Sequence, residues 1–223
     1  MSNSGYGTRM TAKRQPAEEQ SPRRRLSVDE RRAELLRIGM RLFSTRAYEE
    51  IWVEEIAELA GISRGLLYHY FPTKRDFYVA VSRAAAAEAG EVTAPDPSLP
   101  PSERLRAGID AFVRYAEDHS QGFLTAYRGS LSGDSEVRAI VEEGRQRQSA
   151  RILETIARDA EPPPLLRLAV HGWIAFAQNI IARWLQEPEA TREAVCQLLC
   201  GTLSGAIEAA LEAERNQSLI RAV

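Results

Sequence analysis

Cysteine is nearly absent from this 223-residue chain. Only Cys196 and Cys200 occur, four apart in a helical pattern. No disulfide framework can therefore brace the fold, and two thiols without nearby histidines make a poor zinc site. Histidine is as scarce, with His69, His119 and His171 scattered along the chain. No nucleophile elbow, phosphate loop or metal-spaced His/Glu cluster appears. Neither an enzyme nor a bound cofactor or metal is expected. Lysine is limited to Lys13 and Lys74, although Lys and Arg together number 29. No run approaches the roughly 18–20 apolar residues of a membrane span, so no membrane partner is expected. The N-terminus lacks the apolar core of a signal peptide, which points to the cytoplasm.

What is present is ordinary globular composition, 44% hydrophobic and 27% charged, with a net charge of −2. That is enough for a real core. The charge is uneven. Residues 1–90 carry 15 Lys+Arg against 12 Asp+Glu, and residues 91–223 carry 14 against 19. A basic front and an acidic back suit a protein that touches a polyanion with its front only.

No alternating strand pattern flanked by hairpin signals occurs, and no internal repeat, so the fold class reads as all-α. Residues 1 to about 26 are polar and read as a disordered basic arm, with Arg23, Arg24 and Arg25 together. Ser27 and Glu30 form a capping box opening a helix to about Thr45. A second helix runs from Val53 to Ala60, and Gly61 stands where a left-handed C-cap is wanted. Ser63 caps a short third helix that Pro72 discourages from continuing. Thr73-Lys74-Arg75-Asp76 is a second capping box, opening a helix to about Ala89. Pro95, Pro97, Pro100 and Pro101 then mark a linker. Beyond it, helices are expected over about 102–118, 121–131, 134–159, 165–186 and 190–214.

The stretch Gly61–Phe77, GISRGLLYHYFPTKRDF, is the most informative. Its short helix has little apolar surface to bury and many groups that suit phosphates and base edges. Ala57, Gly61, Ile62, Leu67 and Tyr70 fit a helix-turn-helix: a small residue where two helices approach, a glycine turn, and anchors to the core. Lys74 lies in the first turn of a helix, where the macrodipole disfavours a cation unless a phosphate binds there.

From about Glu30 to Val79 the chain resembles the tetracycline-repressor (TetR) family of bacterial regulators. The carrying residues are Phe43, Ile56-Ala57, Ala60-Gly61-Ile62-Ser63, Gly65, Leu67-Tyr68-His69-Tyr70-Phe71 and Lys74. The resemblance implies a dimeric, ligand-responsive, DNA-binding transcriptional regulator, a repressor acting on a palindromic operator. It implies about nine helices in three parts: the arm over 1–26, a three-helix helix-turn-helix DNA-binding domain over 27–75, and a larger ligand-binding and dimerisation domain over 76–223. By this resemblance Ser63 and Tyr68 bind phosphates, Arg64 and Gly65 meet base edges, and His69, Tyr70 and Lys74 clamp the backbone. The chemistry agrees, since arginine can grip guanine bidentately and glycine lets the backbone come close to the groove floor.

Some positions depart from the family pattern. Trp52 and Val53 stand where a hydroxyl residue often caps the second helix and reaches a phosphate. Leu66 replaces a small or polar residue and either contacts a thymine methyl or packs on Trp52. The arm either enters a minor groove through its arginines or is a plain tail. The departures leave open a helical small-molecule-binding protein that has lost specific DNA binding.

In the back half, two long helices are rich in small residues, notably Ala169, Gly172, Ala175, Gly201, Ser204 and Gly205, which allow close helix approach. The family resemblance implies that these last two long helices pair with their copies to make the homodimer. It also implies an effector pocket. Candidates for its wall are Phe112, Tyr115, Phe123, Tyr127, Trp173, Phe176 and Asn179, with His119 as a helix-end residue. His171, Cys196 and Cys200 read as interface residues.

Overall fold

The computed structural model describes residues 26–94, 96–128, 130–157 and 160–221. The arm, apart from Leu26, lies outside these residues. Among the described residues the chain forms nine α-helices and two short 3-10 turns, with no strand. The helices are α1 (Val28–Thr45), α2 (Val53–Leu59), α3 (Arg64–Tyr70), α4 (Lys74–Val92), α5 (Pro101–Asp118), α6 (Ser120–Tyr127), α7 (Ser135–Ala157), α8 (Pro164–Gln186) and α9 (Arg192–Arg221).

Local chemistry sets most helix starts. Ser27 Oγ accepts from Glu30 N at 3.1 Å while Glu30 Oε2 accepts from Ser27 N at 2.8 Å, completing the box that opens α1. Thr73 and Asp76 do the same for α4. Proline at the first position opens α5 and α8, where its missing N–H costs nothing. Ends are less local. α4 runs to Val92, past the expected Ala89, until Thr93 returns a backbone N–H and its hydroxyl to Ala89 O. α6 stops at Tyr127, short of the expected 131, where Arg128 leaves helical geometry at φ −139°.

The front core gathers Leu35, Ile38 and Phe43 of α1 with Ile56, Leu67, Phe71, Phe77, Tyr78 and Val81. α1 and α4 cross so closely that a Cβ on Gly39 would stand 2.7 Å from Phe77 Cζ and closer still to Val81 Cγ2. Val137 and Ile140 of α7 complete this core, so the front is packed directly onto the back. The back core is built by α5, α8 and α9 around Val113, Ala116, Val170, Ile174, Ile181, Leu199 and Leu203.

One sequence expectation needs correcting. α8 and the Arg192–Asn216 part of α9 are each long and apolar enough, by length and composition, to cross a membrane. The physical reason is that both carry apolar residues around most of their circumference. In α8, 44% of the apolar stretch is buried inside the protomer, as in a core helix; for α9 the figure is only 22%, which leaves apolar surface uncovered.

Candidate nucleic-acid interface and effector cavities

α3 is a seven-residue helix with one buried anchor, Leu67, 2% exposed. The turn before it works as the sequence predicts. Gly61 adopts φ 61°, a left-handed conformation that costs other residues about 1–2 kcal/mol. Ile62 N then returns to Ala57 O at 3.0 Å, fixing α3 against α2. Ser63 caps α3 by accepting from Leu66 N at 3.2 Å, which leaves its own O–H free to donate outward.

With Leu67 turned inward, Ser63, Arg64, Gly65, Leu66, Tyr68 and His69 are all exposed, and Tyr70 is half-buried. Gly65 is informative for what it does not touch. A Cβ there would meet only its neighbour Ser63 Oγ at 3.9 Å, so nothing within the protein requires a glycine. Leu66 is 39% exposed and Trp52 68% exposed.

Two cations of this face are held in ways the sequence did not reveal. Arg64 Nη1 lies 2.9 Å from Glu54 Oε1 of α2, with both side chains more than half exposed. Such a pair contributes about 0–1 kcal/mol and yields readily to a better anion. Lys74 Nζ sits 4.3 Å from the centre of the Tyr48 ring, a cation–π contact. Burial lowers the lysine's pKa from its usual value, with Glu49 acting in the opposite sense. α2 has Trp52 at its N-cap and no side-chain cap bond, as the Trp52-Val53 departure implies.

Two cavities lie behind this head. The upper one, about 150 Å³, is lined by α1, α4, α5, α6, α7 and α8, and the lower one, about 80 Å³, lies mainly among α5, α7, α8 and α9. Phe112 lines both; Tyr115, Phe123 and Tyr127 line the upper and Trp173 the lower. His119 also lines the upper cavity, stacked on Tyr115 with ring centres 4.2 Å apart. Tyr115 gives its hydroxyl to Ala85 O at 3.0 Å, and burial raises its pKa above the usual tyrosine value. Burial also pushes Tyr127 up to about 12.

Phe176 and Asn179 line neither cavity. Phe176 is 40% exposed, and the exposed Asn179 accepts from Arg128 Nη2 at 2.9 Å. The cause is helical register. Trp173 and Ala177 share the inward stripe of α8, whereas Gly172, Phe176 and Asn179 share the outward one. His171 is likewise outside, with Nε2 3.7 Å from Glu142 Oε1. Cys196 and Cys200 are half-buried free thiols; burial, with Asp110 nearby, pushes Cys196 up to about 11.

Residues 35–81 match the family model for bacterial regulatory proteins of the tetR family, and residues 101–204 match that for the tetracyclin repressor-like C-terminal domain. The chain is 29% identical over 164 residues to the HTH-type transcriptional activator FasR of Mycolicibacterium smegmatis, covering 72% of this chain and 75% of that protein. It is 38% identical over 64 residues to the HTH-type transcriptional repressor AcnR of Corynebacterium diphtheriae, covering 29% and 34%. Among solved structures it resembles a tetR-family transcriptional regulator from Streptomyces coelicolor, with a TM-score of 0.78 and 30% identity over 88% of this chain and 89% of that one.

Proposed function

This chain belongs to the TetR family and is a DNA-binding transcriptional regulator, and from that premise we propose how it reads DNA and what releases it. α3 enters the major groove. Arg64 leaves Glu54 for a base edge, and Gly65 lets the helix backbone approach the groove floor. Ser63, Tyr68, His69, Tyr70 and Lys74 hold the phosphates, which sets register without reading sequence. The carrying observation is the exposure of this whole set around one buried anchor, Leu67.

One short helix contacts few bases, so a dimer reading a palindrome is required for specificity. Two copies would place their α3 helices about 34 Å apart in successive major grooves. The pairing surface is the outward stripe of α8 with that of α9. Leu168 is 67% exposed and Leu198 48% exposed, and Gly172, Gly201 and Gly205 have nothing within 4 Å of an added Cβ. Mid-helix glycine costs about 1 kcal/mol relative to alanine. Three such residues with no close intramolecular neighbour make sense against a second copy.

The effector site is the pair of cavities. Met40 and Phe43 of α1 and Tyr78 and Val81 of α4 form part of the upper wall, so an occupant bears directly on the helices that carry the reading head. An effector that binds the off-DNA geometry better shifts the dimer away from the operator, and DNA weakens the effector by the same factor. The regulator acts as a repressor in the cytoplasm, because occlusion of a promoter needs only DNA binding and no surface for polymerase. By domain, residues 27–75 form the reading unit and 76–223 the effector and dimer unit.

A salt-titrated shift assay with the DNA upstream of its own gene tests this reading. The expected result is a saturable specific complex whose affinity falls steeply with salt. Equal binding to that DNA and to unrelated DNA would overturn it.

A further inference from the structure

The two cavities are adjacent and have wall residues in common. Phe112, Gln148 and Arg151 line both. Arg151 is half-buried at this junction, where its Nη1 donates to Gly90 O at 2.5 Å, and among the described residues it has no ion-pair partner. The lower cavity holds a second arginine, Arg104, and no carboxylate. Arg104 Nη2 donates to Pro97 O and Leu99 O at 2.6 and 3.1 Å, while its Nε, shielded from solvent, has no hydrogen-bond partner. Asp96 feels the charge of Arg104 but makes no ion pair with it. Partly buried guanidinium groups without a counter-charge are costly, and a carboxylate that supplies one is strongly favoured.

The upper cavity is more mixed in charge. Its charged lining residues, apart from the shared Arg151, are Glu88 and Arg147, and Arg147 lies 3.9 Å from Glu143. Arg147 is thus offset by Glu143, whereas Glu88 has no ion-pair partner among the described residues, so that end offers an anion less than Arg151 and Arg104 do. The space between is lined largely by aromatic and small residues, among them Ala85, Ala126 and Gly144.

We propose that the cavities form one polar-ended site for a slender amphipathic carboxylate. Its head pairs with Arg151, with Arg104 adding positive potential, and its aliphatic chain passes Phe112 into the space beneath α1 and α4. This rests on the effector reading given above and deepens it: the charged end fixes the orientation, and the chain end is the part that presses on the reading head.

The test uses the full chain with decanoate, decan-1-ol and decyltrimethylammonium, measured by calorimetry, together with two variants. Arg151→Gln removes the charge at the junction. Gly144→Leu intrudes on the chain end, where a Cβ meets nothing within 4 Å, and its thermal melt reports whether the variant folds. The wild type is expected to bind decanoate at least tenfold more tightly than decanol and to reject the cation. Arg151→Gln is expected to erase that preference by weakening decanoate at least tenfold more than decanol, and Gly144→Leu to weaken both. Equal binding of acid and alcohol, retention of the preference in Arg151→Gln, or no binding of decanoate each overturns the proposal. Decanoate bound through Arg151 without release of DNA supports the site and overturns the effector reading instead.

Discussion

Arg75 at the start of α4 grips Asp134 at the start of α7 with two parallel bonds, Nε to Oδ2 at 2.6 Å and Nη2 to Oδ1 at 2.9 Å. The same carboxylate accepts the backbone N–H groups of Glu136 and Val137 at 2.9 and 3.3 Å, so it also caps α7. One acid thus ties the helix that follows the reading head to a helix that walls both cavities. The Arg75 hydrogen bond, and to a lesser degree the backbone bonds, hold the Asp134 pKa below the usual value. A depressed carboxylate pKa stabilises the fold above its unfolded value, about 3.9, and that contribution is lost as pH falls through the native pKa. Asp134→Asn should therefore melt below the wild type at neutral pH, with the two converging as pH drops under about 4. Thermal melts from neutral to acid pH check this; a difference that persists unchanged in acid contradicts it.

Two glycines should respond in opposite ways to the same substitution. Gly39→Ala forces a methyl against Phe77 and Val81 where α1 crosses α4, and should cost about 1–3 kcal/mol of stability. Gly65→Ala has open space and should stabilise α3 by about 0.5–1 kcal/mol. Yet Gly65→Ala should weaken operator binding, because the added methyl stands between the helix and the groove. Denaturation and binding curves on both variants separate the roles. Undiminished DNA binding by Gly65→Ala removes the reason given for that glycine.

The dimer face is open to a direct challenge. Phe176 lies on the outward stripe of α8 and is 40% exposed in the protomer, so Phe176→Glu should leave the protomer folded. Across an apolar interface it should bury two unpaired charges and drive the dimer toward monomer. Sedimentation should show the lighter species, and operator affinity should fall with it. A variant that remains dimeric places the interface elsewhere.

The helix starts and the reading turn were legible because their causes are local. Ser27 with Glu30, Thr73 with Asp76, and Gly61 before Ser63 each act within three residues. What escaped depends on distance in space. Gly39 matters only because α4 crosses α1 there, and Lys74 rests on Tyr48, which precedes it by most of the helix-turn-helix. Glu54 reads as an ordinary acidic first-turn residue until the turn brings Arg64 beside it. Phe176 resembles Trp173 in residue type and stands one turn further on, but it sits at the edge of the inward stripe, on the side of Gly172 and Asn179, and is 40% exposed. An outward apolar stripe awaiting a partner copy has the composition of a core stripe, so α8 gave no warning. The cavity's arginines are not legible in the sequence, because charge alone does not reveal which guanidinium groups lack a counter-ion.

The most direct test of the account is a pair of salt-titrated binding isotherms, Arg64→Ala and Lys74→Ala against the wild type, on an operator fragment and on its single-base variants. Arg64→Ala should lose about 1–3 kcal/mol on the operator and discriminate less at one base pair in each half-site. Lys74→Ala should weaken every sequence alike and flatten the salt dependence by about one unit of slope. Wild-type affinity, specificity and salt slope in both variants would contradict the assignment of α3 and the start of α4 as the DNA-reading face.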